Sequence, residues 1–249
     1  MIKTIIAEAG ISHCGSVDLA IELVKQAKES GADAVKFQLF TKKSRPHGTK
    51  YILAKKAWEK IVDVAIQEGI SLFWSVFDFE SLKLVEELGT KWIKLSIICK
   101  QNSRLIQRIN EMDFDRKFIS VDLYGQYNEK ELEGWSKLYC PNHGWAGYYP
   151  TREDNIDFQE YISQQENDLG YSCHYQGKMA CLLAASLGAK VIEKHFRLED
   201  SEYTKNIVQP GKRIDVNIPD YDWSLDPTEF GEMVACIRKM EYANELVHI

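Results

Sequence analysis

Eight short apolar runs, each followed by an amphipathic stretch or by room for one, constrain this chain more than any other feature. The runs fall at residues 4–9, 34–38, 72–76, 92–96, 118–121, 137–140, 169–172 and 190–193. Runs of this length, separated by helical periodicity, predict parallel strands joined by crossover helices. The first helix is expected to open on Ser16 as N-cap, to carry an apolar stripe at Ala20, Leu23, Val24 and Ala27, and to stop at Gly31. An Ala-rich helix is expected from Met179 to Leu187, ending at Gly188. The last helix opens on Asp226-Pro227-Thr228-Glu229, which supplies an N-cap, a Pro at the first helical position and a Glu placed to close a capping box.

Two architectures accommodate eight such units: an open doubly wound sheet and a closed (β/α)8 barrel. A Gly-rich phosphate turn after the first strand would favour the open sheet, and it is absent. The length of 249 residues suits one barrel, and no linker or low-complexity segment divides it. The expected fold is therefore α/β, a single-domain (β/α)8 TIM barrel over residues 1–249.

In such barrels chemistry collects at the C-terminal ends of the strands, and unusual polar residues fall there in this sequence. Glu8 ends the first strand; Lys36 and Gln38 alternate along the second, so both point one way. Lys94 and Ser96 close the fourth, Asn142 follows the sixth, Ser172 and His174 belong to the seventh, and Glu193, Lys194 and His195 close the eighth. Buried charge is costly without a purpose, so the cluster reads as a site for an anionic ligand with acid–base groups. Lys36 and Lys94 could hold a phosphate or carboxylate, or could be paired internally with Glu8 or Glu193. His174 and His195 end consecutive strands and could share a divalent metal, or could be hydrogen-bonded rim histidines. Trp145, Tyr148 and Tyr149 could stack on a sugar or pack as a loop.

Composition excludes several classes. A net charge of −6 with no basic block argues against nucleic acid. No apolar run is long enough to span a membrane, and no signal peptide is evident. The six scattered cysteines read as reduced thiols of a cytoplasmic protein.

The same residues carry a family resemblance. Residues 6–15, IAEAGISHCG, are similar to the opening IAEAGxNHNG of the N-acetylneuraminate (sialic acid) synthase family, which includes legionaminate and pseudaminate synthases. Residues 31–38 match its GADAVKFQ; Tyr149-Pro150-Thr151 resembles its YPTP, residues 170–174 its GYSDH, and residues 192–196 its IEKHF. Pro219-Asp220 and residues 224–227 fit its PDHxxSLDP. The resemblance implies a phosphoenolpyruvate-dependent condensation with an aldose or amino sugar, giving a nonulosonate or related 3-deoxy-2-keto sugar acid. It implies a divalent metal on His174 and His195, usually manganese, with zinc or iron as alternatives because Cys14 and Cys173 adjoin motif positions. It further implies that Lys36, Lys94, Asn142 and Ser172 contact phosphoenolpyruvate. Gln38, Tyr149 and Asp220 would line the sugar pocket, with Glu8 beside the reacting carbons.

The departures are equally specific. The family's strand-four motif KIxSGD or KIxSGE is here Lys94-Leu95-Ser96-Ile97-Ile98-Cys99, so Ile97 stands for the Ser and Cys99 for the acid, with Ser96 a possible substitute for the former. Cys173 replaces the Asp of GYSDH, and Tyr221 the His of PDH. Residues 143–148 and 197–218 are insertions, the latter carrying Lys205, Lys212 and Arg213. Family members continue into a small antifreeze-like domain, absent from this sequence. The expected sugar pocket is therefore more open, closed by the chain's own loops, or completed by a second copy or another protein. These departures keep two alternatives in view: a non-catalytic sugar- or phosphate-binding relative or partner subunit, and a metal-dependent aldolase acting on pyruvate.

Overall fold

A computed structural model of the chain describes residues 4–122, 128–141, 169–207 and 220–247. Eight parallel strands close into a barrel in sequence order: β1 (Thr4–Gly10), β2 (Ala34–Leu39), β3 (Ser71–Val76), β4 (Trp92–Leu95), β5 (Arg116–Val121), β6 (Trp135–Tyr139), β7 (Gly170–Cys173) and β8 (Val191–His195). The helices among the described residues are α1 (Val17–Glu29), α2 (Lys55–Glu68), α3 (Phe79–Leu88), α4 (Ser103–Asn110), α5 (Met179–Ser186), α6 (Asp200–Ile207) and α7 (Pro227–Val247).

The helix ends follow the expected chemistry. Ser16 caps α1 by accepting the Leu19 amide at 3.3 Å. At α7, Glu229 N–H donates to Asp226 Oδ1 at 2.9 Å, and Asp226 N–H donates to Glu229 Oε2 at 3.3 Å. That reciprocal pair is a capping box, with Pro227 in the first turn, where a missing N–H costs nothing.

Alternation along the strands sorts side chains into two sets. One set faces the helices and builds the main core, including Ile5, Ala7, Val35, Phe37, Trp74, Ile93, Leu95, Ile119 and Ile192. The other faces the barrel axis. Its lowest members, Ile6, Ala34, Phe73, Phe118, Leu138 and Val191, pack into a separate apolar cluster with Trp92 against it. Arg116 covers Trp92 and Phe118, its guanidinium 4.6 and 4.8 Å from their ring centroids, and donates to Thr4 Oγ1 at 2.6 Å. This explains why β5 begins at Arg116, two residues earlier than the apolar run suggests: Arg116 pairs with Trp92 and closes the base of the barrel.

Gly170 belongs to this floor. A Cβ there would lie 2.8 Å from Leu138 Cγ and 2.9 Å from Val191 Cβ, closer than side chains approach. Gly170→Ala is therefore expected to lower unfolding stability by about 1–3 kcal/mol through overpacking. Urea denaturation would check it, and an unchanged midpoint would show that the floor can relax.

Candidate active site

On every strand the inward residue two positions beyond the floor is polar or a thiol: Glu8, Lys36, Ser75, Lys94, Ser120, Cys140, Ser172 and Glu193 all line one cavity of about 210 Å³. One step further, Gln38, Phe77, Ser96, His174 and His195 form its upper wall. The sequence-predicted residues Glu8, Lys36, Lys94, Gln38, Ser96, Ser172, Asp220, His174 and His195 are thus brought to a single point. Asn142 and Tyr149 lie outside the described residues, as do Trp145, Tyr148, Lys212 and Arg213.

Four charges occupy the bottom of the cavity, each side chain no more than 4% exposed. Lys36 Nζ lies 2.5 Å from Glu8 and 3.5 Å from Glu193, while Lys94 pairs with Glu193. Ser172 donates to Glu193 Oε1 at 2.8 Å. Each lysine is therefore both internally paired and on the cavity wall. Two cations and two anions neutralise one another, which makes their burial tolerable; removing any one partner would leave an uncompensated buried charge.

The two carboxylates are not equivalent. Burial disfavours ionisation of Glu193, but Lys36, Lys94 and the Lys94 and Ser172 hydrogen bonds outweigh it, holding Glu193 well below the usual carboxylate range. Glu8 is raised: burial dominates, Lys36 only partly opposes it, and the negative Glu193 adds to the rise. Environments that push two neighbouring acids apart mark a division of labour. Glu193 is thus favoured in its charged form, and Glu8 is the carboxyl more inclined to hold a proton. The lysines divide likewise. Lys36 is desolvated, yet Glu193 and Glu8 raise it overall, while burial and the nearby Lys36 charge leave Lys94 lowered despite Glu193.

The histidine rings meet edge to face, with centroids 4.9 Å apart. Burial pushes both down to about 3, so both are neutral near pH 7. His174 Nδ1 is 3.3 Å from the Ser172 carbonyl oxygen, a contact that assigns its proton to Nδ1 and the lone pair to Nε2. Asp220, in the left-handed region at φ 61°, sets its carboxylate 3.8 Å from His195 Nδ1. Among the described residues no cluster of three His, Cys, Asp or Glu converges as a metal cage. Two neutral imidazoles on adjacent strands nevertheless fit a divalent ion whose other positions are left to substrate and water.

Lys194 departs from the expected cluster. It alternates with Glu193 and His195, so it faces the helix layer, fully buried, donating to the Tyr175 carbonyl and lying 3.6 Å from Cys173 Sγ. Cys173 thus packs behind the sheet, away from the cavity. Just after β4, Ser96 and the apolar Ile97 both line the wall. Cys99 is buried with its thiol toward the Phe77 carbonyl at 4.0 Å, and burial pushes it up to about 11. It is a neutral thiol.

Ser75, Ser120 and Arg45 are among the wall residues not singled out in the sequence. Ser75 and Ser120 share the inward phase of Lys94 and Ser172, and counting two residues beyond each floor position would have found them. Arg45, in the loop after β2, carries no periodic signal; its Nη1 donates to Gln38 Oε1 at 2.6 Å.

His13, fully buried, and His195 are pushed down to about 4 and about 3 by burial, from an ordinary value of 6.5. A lowered folded-state value means the unfolded chain takes up the proton first as pH falls. Each histidine's contribution is thus complete above about pH 6.5 and is lost below it, by up to about 1.4 kcal/mol per pH unit. Urea unfolding of metal-stripped protein at about pH 7.5 and about pH 5 should show a smaller loss for His13→Gln than for the unsubstituted chain. Equal losses would contradict the assignment.

Comparison with known proteins agrees with this geometry. The NeuB family model matches residues 146–247. The chain is 30% identical over 272 aligned positions to the N,N'-diacetyllegionaminic acid synthase of Legionella pneumophila, covering 95% of this chain and 72% of that protein. It is 27% identical to a pseudaminic acid synthase of Campylobacter jejuni, covering 96% and 74%. The crystal structure of an N-acetylneuraminic acid synthetase from Leptospira borgpetersenii superposes with a TM-score of 0.79 at 22% identity, covering 98% of this chain and 85% of that one; at this identity the likeness concerns the fold. With an inward polar layer, a mouth of two histidines and 30% identity over 95% of its length to such a synthase, the chain belongs to the NeuB family.

Proposed function

We propose that this chain condenses phosphoenolpyruvate with an open-chain aldose or amino sugar, releasing phosphate and a 3-deoxy-2-keto sugar acid. The observation that carries this reading is the paired-charge floor, Lys36 and Lys94 held by Glu8 and Glu193, directly beneath two neutral histidines. The names of the relatives support the same class of product.

Lys36 and Lys94, with the hydroxyls of Ser75, Ser96, Ser120 and Ser172 around them, suit the phosphate and carboxylate of phosphoenolpyruvate at the bottom of the cavity. Gln38 and Asp220 stand higher on the wall, where the acceptor would lie. His174 and His195 would hold a divalent ion, most suitably manganese, whose chemistry there is to polarise the acceptor's aldehyde oxygen. C3 of phosphoenolpyruvate attacks the aldehyde carbon, the aldehyde oxygen takes up a proton to become a hydroxyl, and the new C–C bond leaves C2 electron-deficient. Water adds at C2 as Glu8 takes its proton, replacing the one the former aldehyde oxygen has taken up. The tetrahedral intermediate collapses to the 2-keto group as the bond to phosphate breaks, and the lysines stabilise the departing anion. Glu193, paired with both lysines, favours their charged forms and holds them in place.

The six unpaired cysteines support a reducing compartment, for which the cytoplasm is the proposed location. No helix among the described residues is long and apolar enough to cross a membrane.

Phosphate release from phosphoenolpyruvate, measured with manganese and a panel of hexosamines, pentoses and other aldoses, tests the reading. At least one acceptor should support turnover, and Glu8→Gln should reduce it by about 10²–10⁴-fold, the usual worth of a general base. No release with any acceptor, together with no manganese binding, would overturn the proposal. Turnover that survives both His174→Ala and His195→Ala would overturn the metal assignment alone.

A further inference from the structure

We infer that Arg45 is a positioning residue for this reaction, acting through the Gln38 amide on Glu8. The inference rests on the reading proposed above and concerns how the proton-transferring carboxylate is held.

A glutamine amide has two ends of nearly the same shape and opposite hydrogen-bonding character. Glu8 in its charged form only accepts, so Gln38 supports it only by presenting Nε2, which lies 3.1 Å from Glu8 Oε1. The reversed amide would set oxygen against oxygen. Arg45 selects the productive orientation, because a guanidinium can only donate: its Nη1 lies 2.6 Å from Gln38 Oε1. Donation therefore runs one way, Arg45 to Gln38 to Glu8, and the other Glu8 oxygen is left to Lys36 at 2.5 Å. Gly10 leaves room for this arrangement. A Cβ there would lie 3.2 Å from Glu8 Oε1 and 3.4 Å from Gln38 Nε2, and its φ of +51° suits glycine.

Arg45 is itself fixed from three sides. Its guanidinium lies 5.4 Å from the Phe40 ring centroid and 5.1 Å from that of Phe77. Pro46 follows it and holds its backbone out of the helical region, at φ −139° and ψ 79°. The loop preceding it is tied to the next βα unit by Asp78. Oδ2 of Asp78 accepts from the Thr41 amide at 3.1 Å, from the Thr41 hydroxyl at 2.9 Å and from Ser44. Its Oδ1 caps α3 by accepting the Ser81 amide at 2.7 Å. Among the described residues no salt bridge within 4 Å involves Arg45, although the Asp220 carboxylate feels its charge.

The test compares Arg45→Met, which keeps the aliphatic stem between the rings but removes the donor, with Arg45→Lys, which restores a donor. Arg45→Met should fold with an unchanged melting temperature, lose on the order of 10–100-fold in kcat, and keep its KM for phosphoenolpyruvate. Arg45→Lys should recover part of that loss. In parallel, the Gln38 side-chain amide signal in the ¹H–¹⁵N spectrum, identified by its disappearance in Gln38→Leu, should move in Arg45→Met and return toward its original position in Arg45→Lys. An unchanged kcat in folded Arg45→Met, or a loss confined to KM for the acceptor, would overturn the inference. Should the unsubstituted protein release no phosphate with any acceptor, the proposed reaction falls. The amide signal then decides separately: a stationary signal in Arg45→Met overturns the amide lock, and a shifted one supports it.

Discussion

Four buried charges at the bottom of the barrel set the terms for the rest of this structure. Lys36, Lys94, Glu8 and Glu193 are almost completely removed from water. Moving even one isolated ion into such surroundings costs several kcal/mol. The group is tolerable because its charges sum to zero and because Ser172 and Gln38 add hydrogen bonds to the carboxylates. The same neutrality has a chemical consequence. Glu193 lies between two ammonium groups, which favour its anion, while Glu8, with one lysine and a negative neighbour, is the carboxyl shifted toward its protonated form.

That constraint explains the layering around it. The tetrad needs a dry floor, and the ring of Ile6, Ala34, Phe73, Phe118, Leu138 and Val191 supplies one, completed where Gly170 yields space to its neighbours. Above the tetrad the wall becomes half-polar, and the histidines stand neutral because burial drives their protons off. The site is graded along the barrel axis, from apolar floor to charged layer to two neutral histidines. Each two-residue step along a strand is one step in that grade, which is the geometric consequence of strand alternation in a closed barrel.

Much of this was legible beforehand. Strand order, the α1 and α7 caps, and the position of most site residues follow from periodicity and local hydrogen-bond chemistry, which act over a few neighbours. What failed to show is of a different kind. Lys194 reads as a member of the polar cluster because it stands between Glu193 and His195, and only strand phase places it behind the sheet. Ser75 and Ser120 pass unnoticed because a single serine in an apolar run carries no signal of its own. The strand-four departures divide once the wall is formed: Ser96 is on it, and Cys99 is turned to the Phe77 carbonyl.

By itself, then, the amino-acid order determined the eight βα units, the alternation that makes one face of each strand polar near its end, and the residues able to hold an anion or a metal. Those properties are local. Tertiary structure alone decided which charges neutralise which. Glu8 and Glu193 lie on the first and last strands of the barrel and become neighbours only when β1 pairs with β8 to close it. It also decided that Arg45, from a loop with no periodic pattern, reaches Gln38. Electrostatics and burial depend on distances through space, and closing the barrel is what sets those distances.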